Sequence, residues 1–325
     1  MPTISRRGAL AGIAVVLSVL AFRPSAAQEF PSKQMRLIVP FAAGGAADII
    51  GRTVADKLGT LYGKTIIVEN MAGAGSNIGI NAAVKAEPDG HTLVLGAIAI
   101  AINPFLYKSM PFDPAKDLAP LTLALETPNI VIVPATSNVQ TVADLIAKAK
   151  TAPLNYASAG IGSSLHLAAE LFKQQAKVDL AHVAYRGSNP ALTDLIAGRM
   201  DVMFDNASTA LPQIEAKTVR AIAVTTKVRL ATLPDVPTVA EAGVPGYTMA
   251  SWFGLLAPAK TSKSIVERLS AETKTAVNSQ IFKDRMKSVG LEVDGGTPAA
   301  MLETMRSDTQ RWAELIKATG ITIPQ

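Results

Sequence analysis

Met35-Arg36-Leu37-Ile38-Val39-Pro40-Phe41-Ala42-Ala43-Gly44-Gly45-Ala46-Ala47-Asp48 is the stretch on which the fold turns. Met35 to Phe41 reads as a buried strand. From Asp48 onward Ile50, Val54, Leu58 and Leu61 recur near helical spacing, so a helix follows that buries one face. A strand that empties through glycines into a helix start leaves a nest of backbone N–H groups, which suits an anion. Gly44 and Gly45 free the backbone, and Asp48 is placed to cap the helix. An ordinary tight turn between strand and helix would use the same residues.

The same alternation runs through the rest of the chain. Strands are expected at Met35–Phe41, Thr65–Asn70, His91–Ala97, Asn129–Pro134, Asn155–Ser158, His182–Tyr185, Asp201–Phe204, Arg220–Thr225 and Gly254–Ala257. They are short, rich in Val, Ile and Leu, and bounded by Gly, Pro, Asn or Asp. Strands alternating with helices imply an α/β fold with mostly parallel sheets, and continuous apolar runs suit sheets covered on both faces. Thr141-Val142-Ala143-Asp144 is a capping-box start, and Thr297-Pro298 opens a long helix that Gly320 ends. Two segments can cross between domains: Glu126-Thr127-Pro128-Asn129, and Tyr247–Ala257 around Ser251-Trp252-Phe253-Gly254. Residues 129–252 then form one lobe, and 28–128 with 253–325 the other. Two crossing strands permit a hinge and a cleft that opens and closes.

Residues 1–27 read as a secretory signal. Arg6 and Arg7 give the positive start, Ala9 to Phe22 the apolar run, and Ser25-Ala26-Ala27 a cleavage site before Gln28. Ser5-Arg6-Arg7 followed by Leu10 resembles an imperfect twin-arginine signal. The apolar run is about 14 residues where a membrane span needs about 20. A periplasmic location follows. The formal charge of +5 includes Arg6, Arg7 and Arg23, so the mature chain carries about +2. No basic block or aromatic surface argues for nucleic acid. The absence of Cys removes disulfides, thiolate metal sites and a cysteine nucleophile.

Other junctions resemble known motifs only in part. Gly73-Ala74-Gly75-Ser76-Asn77-Ile78-Gly79 has the wrong spacing for a dinucleotide fingerprint and fits better as a second N–H-rich wall of a pocket. Gly63-Lys64-Thr65 precedes a strand and lacks the earlier glycine of a phosphate loop. Tyr156-Ala157-Ser158-Ala159-Gly160-Ile161-Gly162-Ser163-Ser164-Leu165-His166 is a third strand–turn–helix junction, belonging to the other lobe and able to hold the second end of a ligand. Ser158 lacks the first glycine of a nucleophile elbow. The 3 histidines, His91, His166 and His182, have no partner at helical spacing, and no acidic cluster suggests a metal. Catalysis is not expected, nor is a cofactor. Asp205-Asn206, at a strand end, is a candidate for reading a polar ligand group.

Taken in order, these junctions resemble the substrate-binding proteins of tripartite tricarboxylate transporters, the Bug family. The matching motifs include Pro40-Phe41 with Gly44-Gly45 and Asp48, Val68-Glu69-Asn70 with Gly73-Ala74-Gly75, and Pro88-Asp89-Gly90. They continue with the Tyr156–Ser163 loop, His166-Leu167-Ala168, His182-Val183 with Tyr185-Arg186-Gly187, Leu233-Pro234-Asp235-Val236-Pro237-Thr238 and Glu241-Ala242-Gly243. The resemblance implies a two-lobed Venus-flytrap fold of the type II periplasmic binding class. It implies a ligand carboxylate at Phe41, Gly44, Gly45, Ala46, Ala47 and Asp48, with Asn77, Ala97 and Ile98 beside it. It implies a second polar end at Ser158, Ala159, Gly160, Ile161, Gly162 and Ser163, with His166, Tyr185, Arg186 and Asp205. Closed lobes would dock on membrane permease subunits. Ala46-Ala47, Ile161 and the apolar Ala97–Ala101 stand where polar residues are common in the family, so an aromatic or aliphatic mono- or dicarboxylate is expected rather than citrate. A sensor subunit for a membrane kinase would share this fold and pocket. An exported hydrolase or isomerase would reveal itself by turnover.

Overall fold

The computed structural model describes residues 30–319 except 290, 292 and 294. The expected signal peptide, its cleavage at Ala27-Gln28 and the helix stop at Gly320 lie outside the described residues. Each of the nine stretches read as strands overlaps an observed one. They are β1 (Arg36–Val39), β2 (Ile67–Asn70), β3 (Thr92–Ala97), β4 (Leu118–Pro134), β5 (Asn155–Ser158), β6 (Ala181–Ala184), β7 (Val202–Asn206), β8 (Val219–Val224) and β9 (Ala250–Pro258). The helices that position the site are α1 (Ala46–Tyr62), α2 (Asn77–Val84), α3 (Ala99–Leu106), α4 (Pro114–Asp117), α5 (Val142–Ala149), α6 (Ser164–Ala176), α7 (Ser188–Ile196) and α8 (Ala207–Glu215). Three more close the chain: α9 (Lys263–Asn278), α10 (Gln280–Lys287) and α11 (Pro298–Thr319).

The strand order is β2-β1-β3-β9-β4-β7-β5-β6, with β8 also on β4. β1 pairs in parallel with β2 and β3, and β5 in parallel with β6 and β7. β9 runs antiparallel to β3, and β4 runs antiparallel to β9, β7 and β8. Leu37, Ile38 and Val39 on β1 and Leu93, Val94 and Leu95 on β3 are all buried. Side chains pointing to both faces are therefore covered, and each such Val, Leu or Ile contributes about 1.5–3 kcal/mol of transfer free energy.

β4 is longer than its sequence suggests. The expected strand begins at Asn129, whereas the observed one begins at Leu118, through Pro120 and Pro128. Over residues 118–128 β4 pairs with β9, from Leu118 opposite Pro258 to Pro128 opposite Ala250. From Asn129 it pairs with β7 and β8 instead. In its first part β4 is thus the end strand of the β2-β1-β3-β9-β4 sheet, where the missing N–H of a proline costs no ladder bond. The result is one continuous strand that belongs to both sheets. Thr225, just after β8, fastens the place where it changes partners. Its hydroxyl lies 2.8 Å from Asn129 O and 2.7 Å from Met249 O, and it accepts from Asn129 N–H at 3.0 Å.

Candidate functional site

The loop from β1 to α1 builds the first wall. Gly44 adopts φ +80, and Gly45 is the N-cap residue of α1, with no side-chain cap. Asp48 does not cap the helix. It lies inside the first turn and holds the loop from within. Asp48 Oδ2 accepts from Gly44 N–H at 2.8 Å and from Arg52 Nε at 2.9 Å, and Oδ1 accepts from Asn70 Nδ2 at 2.9 Å. Asn70 Nδ2 also donates to Phe41 O at 3.1 Å. Burial pushes the Asp48 carboxyl up, but hydrogen bonds from Arg52, Gly44 and Asn70 outweigh it and hold the group below its usual range. Asp48 is therefore satisfied by Gly44, Arg52 and Asn70, and the first-turn amides of α1 are left for the cleft.

The loop from β5 to α6 builds the opposite wall. Ser158 is buried, accepts from Gly160 N–H at 3.1 Å and lies 2.6 Å from His182 Nε2. Gly162 N–H donates to His166 Nδ1 at 3.2 Å, which places the His166 proton on Nε2. Ser163 Oγ donates to Gly160 O at 2.6 Å. The His166 and His182 rings stack 4.4 Å apart, and His182 stacks on Tyr156 at 4.7 Å. Burial pushes His166 down to about 4, with Lys173 adding to the effect. Burial and then the His166 neighbour push His182 down to about 3. Two neutral imidazoles thus support the loop from behind.

Between these walls lies a narrow cavity of about 30 Å³. Helix N-termini converge on it from both sheets. α1 contributes Gly45, Ala46 and Ala47. α3 contributes Ile98 and Ala99, preceded by Ala97. α6 contributes Ser163, Ser164 and Leu165, α7 Ser188, and α8 its N-cap Asn206. Phe41, Ala42, Ala159, Ser251 and Phe253 complete the lining, so among the described residues no Lys, Arg, His, Asp or Glu side chain faces it. Ser164 Oγ accepts from Asn206 Nδ2 at 3.1 Å and from Asn129 Nδ2 at 3.4 Å, which leaves its own proton to donate. Each helix end carries a partial positive charge. The site is therefore electropositive by backbone rather than by side chain, and its body is apolar.

The first wall also touches the segment that joins β6 to α7 and the first turn of that helix. Ala42 N–H donates to Arg186 O at 3.2 Å, and Asn189 Nδ2 to Ala43 O at 3.4 Å. A second cavity of about 330 Å³ shares Phe41 and Ala159 with the first and runs along Gly73–Ser76, Tyr107, Gly160, Ile161, Tyr185 and Arg186.

Of the expected contact residues, Phe41, Gly45, Ala46, Ala47, Ala97, Ile98, Ala159 and Ser163 line the first cavity. Gly160, Ile161, Tyr185 and Arg186 line the second. Gly44, Asp48, Asn77, Ser158, Gly162, His166 and Asp205 line neither. Asn77 is buried and accepts from Asn103 Nδ2 at 2.9 Å, while Gly162 and His166 bond to each other and Ser158 bonds to Gly160 and to His182 on β6. Asn206, a candidate for reading a polar ligand group, and Ser164 and Leu165 of the third junction also line the first cavity, while Ala42, Ala99, Ser188, Ser251 and Phe253 line it without having been expected there. A signal for the last two existed in the alternation of β9, which turns Ser251 and Phe253 to one face. Among the described residues no cluster of three or more His, Asp or Glu could hold a metal, and no helix is long and apolar enough to cross a membrane.

Residues 50–321 match the tripartite tricarboxylate transporter family receptor. The chain is 39% identical over 319 residues to a Pseudomonas sp. (strain P51) protein, "UPF0065 protein in tcbD-tcbE intergenic region", covering 97% of this chain and 95% of that protein. Among solved structures, "R. palustris Rpa4515 with adipate" superposes with a TM-score of 0.87 at 36% identity, covering 91% of this chain and all (100%) of the other. The periplasmic binding protein BugD gives a TM-score of 0.87 at 32% identity over 90% of this chain and 100% of its own. The two-lobed architecture of periplasmic solute-binding proteins is shared with both.

Proposed function

This chain belongs to the tripartite tricarboxylate transporter family of receptors, and on that premise we propose that it captures a small carboxylate in the periplasm and hands it to the membrane subunits of such a transporter. The observation that carries the reading is the cavity itself: helix N-termini from both sheets converge on it, and it has no charged side chain. A carboxylate bound there is held by oriented amides and hydroxyls. Phe41, Ile98, Leu165 and Phe253 favour an aliphatic or aromatic body over a densely polar one. The adipate in the R. palustris structure has that character. Residues 28–128 with 253–325 make one lobe and 129–252 the other, with β4 and β9 passing between them. Residues 1–27 act as the export signal. The protein binds without turnover and needs no cofactor.

The test is a thermal-shift panel on the mature chain from Gln28, refolded to remove any carried ligand. Adipate, benzoate and citrate are the first members. A ligand that binds only the folded form raises stability by about 2.7 kcal/mol at a hundredfold excess over its Kd. Adipate or benzoate should shift the midpoint more than citrate and be recovered unchanged. No shift with any carboxylate, or a dominant citrate effect, would sink the reading of the pocket.

A further inference from the structure

Asp205 is the penultimate residue of β7, directly before Asn206, which forms part of the cavity wall. Its side chain is fully buried and meets no cation. Oδ2 lies 2.7 Å from Thr209 Oγ1, and Oδ1 has no hydrogen-bond partner. The Asn206 N–H and the Ser188 side chain are the other polar groups that act on the carboxyl. Ser188 and Asn206 both line the cavity. Asp205 therefore stands directly behind the wall that a ligand touches, without touching the cavity itself.

The hydrogen bonds count protons. Thr209 has one hydroxyl proton and two neighbours that accept: Asp205 Oδ2 at 2.7 Å and Asn206 O at 3.1 Å. With Asp205 ionised, that proton cannot serve both fully, and the buried anion has only the weaker support of the Asn206 N–H and the Ser188 side chain besides. With a proton on Oδ2, Asp205 donates to Thr209, and Thr209 donates to Asn206 O, so both bonds are made. Burial points the same way: it pushes the Asp205 carboxyl up to about 7, against the smaller opposing pull of Thr209, Asn206 and Ser188.

No neighbouring charge relieves an ionised Asp205. The elements packed against β7 are β4, β5, α6, α7 and α8. Their titratable or charged side chains are Glu126 on β4, Tyr156 on β5, His166, Glu170 and Lys173 on α6, Asp194 on α7 and Glu215 on α8. None of these acts on Asp205. Across the cavity, α1 carries Asp48 and Arg52, which are bonded to each other.

Resting on the carboxylate reading of the cavity, we propose that Asp205 is a positioning residue that holds a proton on Oδ2 in the closed receptor, and that capture of a carboxylate is linked to uptake of that proton. A ligand anion beside an ionised Asp205 would put two negative charges near one dry wall with no cation to offset them. Taking one proton from water onto Oδ2 removes the repulsion and completes the chain through Thr209. By linkage, the ligand then binds more tightly where the proton is already in place.

The experiment is calorimetric titration with adipate from pH 6 to pH 9, on the mature protein and on Asp205→Asn. Adipate is fully ionised above pH 7, so its own titration does not intrude there. The wild type should lose affinity above about pH 7, approaching tenfold per pH unit, while Asp205→Asn stays flat. Parallel profiles for the two proteins would overturn the proposal. If Asp205→Asn does not fold, or if adipate does not bind at any pH, ¹³C-carboxyl NMR of the wild type decides the proton separately. An Asp205 resonance at the neutral-acid position at pH 6 is expected, and one already ionised at pH 5 overturns the proposal. Failure of adipate, benzoate and citrate alike would count against the carboxylate reading, while the Asp205 resonance would still decide where its proton sits.

Discussion

Gly44 and Gly45 sit side by side and answer to different demands. Gly44 holds φ +80, and a Cβ built on it would lie 2.2 Å from Asn189 Nδ2. Gly45 has φ −80, and its nearest neighbours to such a Cβ are 3.8 Å away. Gly44→Ala should therefore cost about 1–2 kcal/mol from the left-handed backbone alone, and more from displacing Asn189. Gly45→Ala should stay within about 0.5 kcal/mol of the parent. Urea denaturation of the two variants checks this, and equal losses would mean that the turn is not shaped as described. A second residue-scale effect belongs to the stacked histidines. Both have folded pKa values below the ordinary 6.5, at about 4 for His166 and about 3 for His182. Their stabilisation is complete above about pH 6.5 and is lost as pH falls toward 4. For His166 the full effect is on the order of 3 kcal/mol. The urea midpoint should drop between pH 6.5 and 4.5, and drop less in His166→Gln, which cannot take up the proton. An undiminished drop in that variant would place the acid sensitivity elsewhere.

At the scale of elements, α5 shows how fully a local signal can specify structure. Thr141 Oγ1 accepts from Asp144 N–H at 3.1 Å, and Asp144 Oδ2 accepts from Thr141 N–H at 2.9 Å. Thr141→Ala should cost about 1 kcal/mol, read as a lowered thermal midpoint with unchanged ligand affinity, because α5 does not line the cavity. A change in affinity would tie α5 to the site. The box was legible because every partner lies within four residues. The strand positions were legible for a similar reason: each is a short apolar run with turn residues at its ends. The first eleven residues of β4 were not, since Pro120 and Pro128 argue against a strand until β9 is known to leave one edge free. Ser188 escaped notice at the cavity, and the meeting of Ser164 with Asn206 there could not be read, for a related reason. Each sits at a helix start that sequence could place, but which helix starts meet in space depends on pairings such as β7 with β5, far apart in the chain. Asp205 and Asn206 illustrate the limit most sharply. They are adjacent and both polar, yet one lines the cavity and the other is buried behind it.

At the scale of the molecule, the cleft can open only if the connections between the lobes proposed here bend. β4 and β9 carry those connections side by side, with Thr127 opposite Ser251 and Pro128 opposite Ala250. Thr225 sits where they part. It is fully buried, its N–H donates to Asn129 O at 2.9 Å, and its carbonyl accepts from Met249 N–H at 2.8 Å. Its hydroxyl adds the contacts to Asn129 and Met249 already described. Thr225→Val keeps the shape but leaves the Asn129 N–H without the hydroxyl oxygen and Met249 O without its donor. Each buried group stripped of its partner costs about 1–3 kcal/mol, so a total of several kcal/mol is expected. Thr225→Ser keeps the hydroxyl and should lose less than half as much. If the hydroxyl also fixes the resting angle of the hinge, Thr225→Val should change the contraction in radius of gyration that X-ray scattering registers on adding adipate, while Thr225→Ser leaves it as in the parent. Equal stability for Val and Ser would show that methyl packing, not the hydroxyl, holds the junction. A loss of stability with identical contraction would confine Thr225 to the fold and leave the hinge to the paired strands alone.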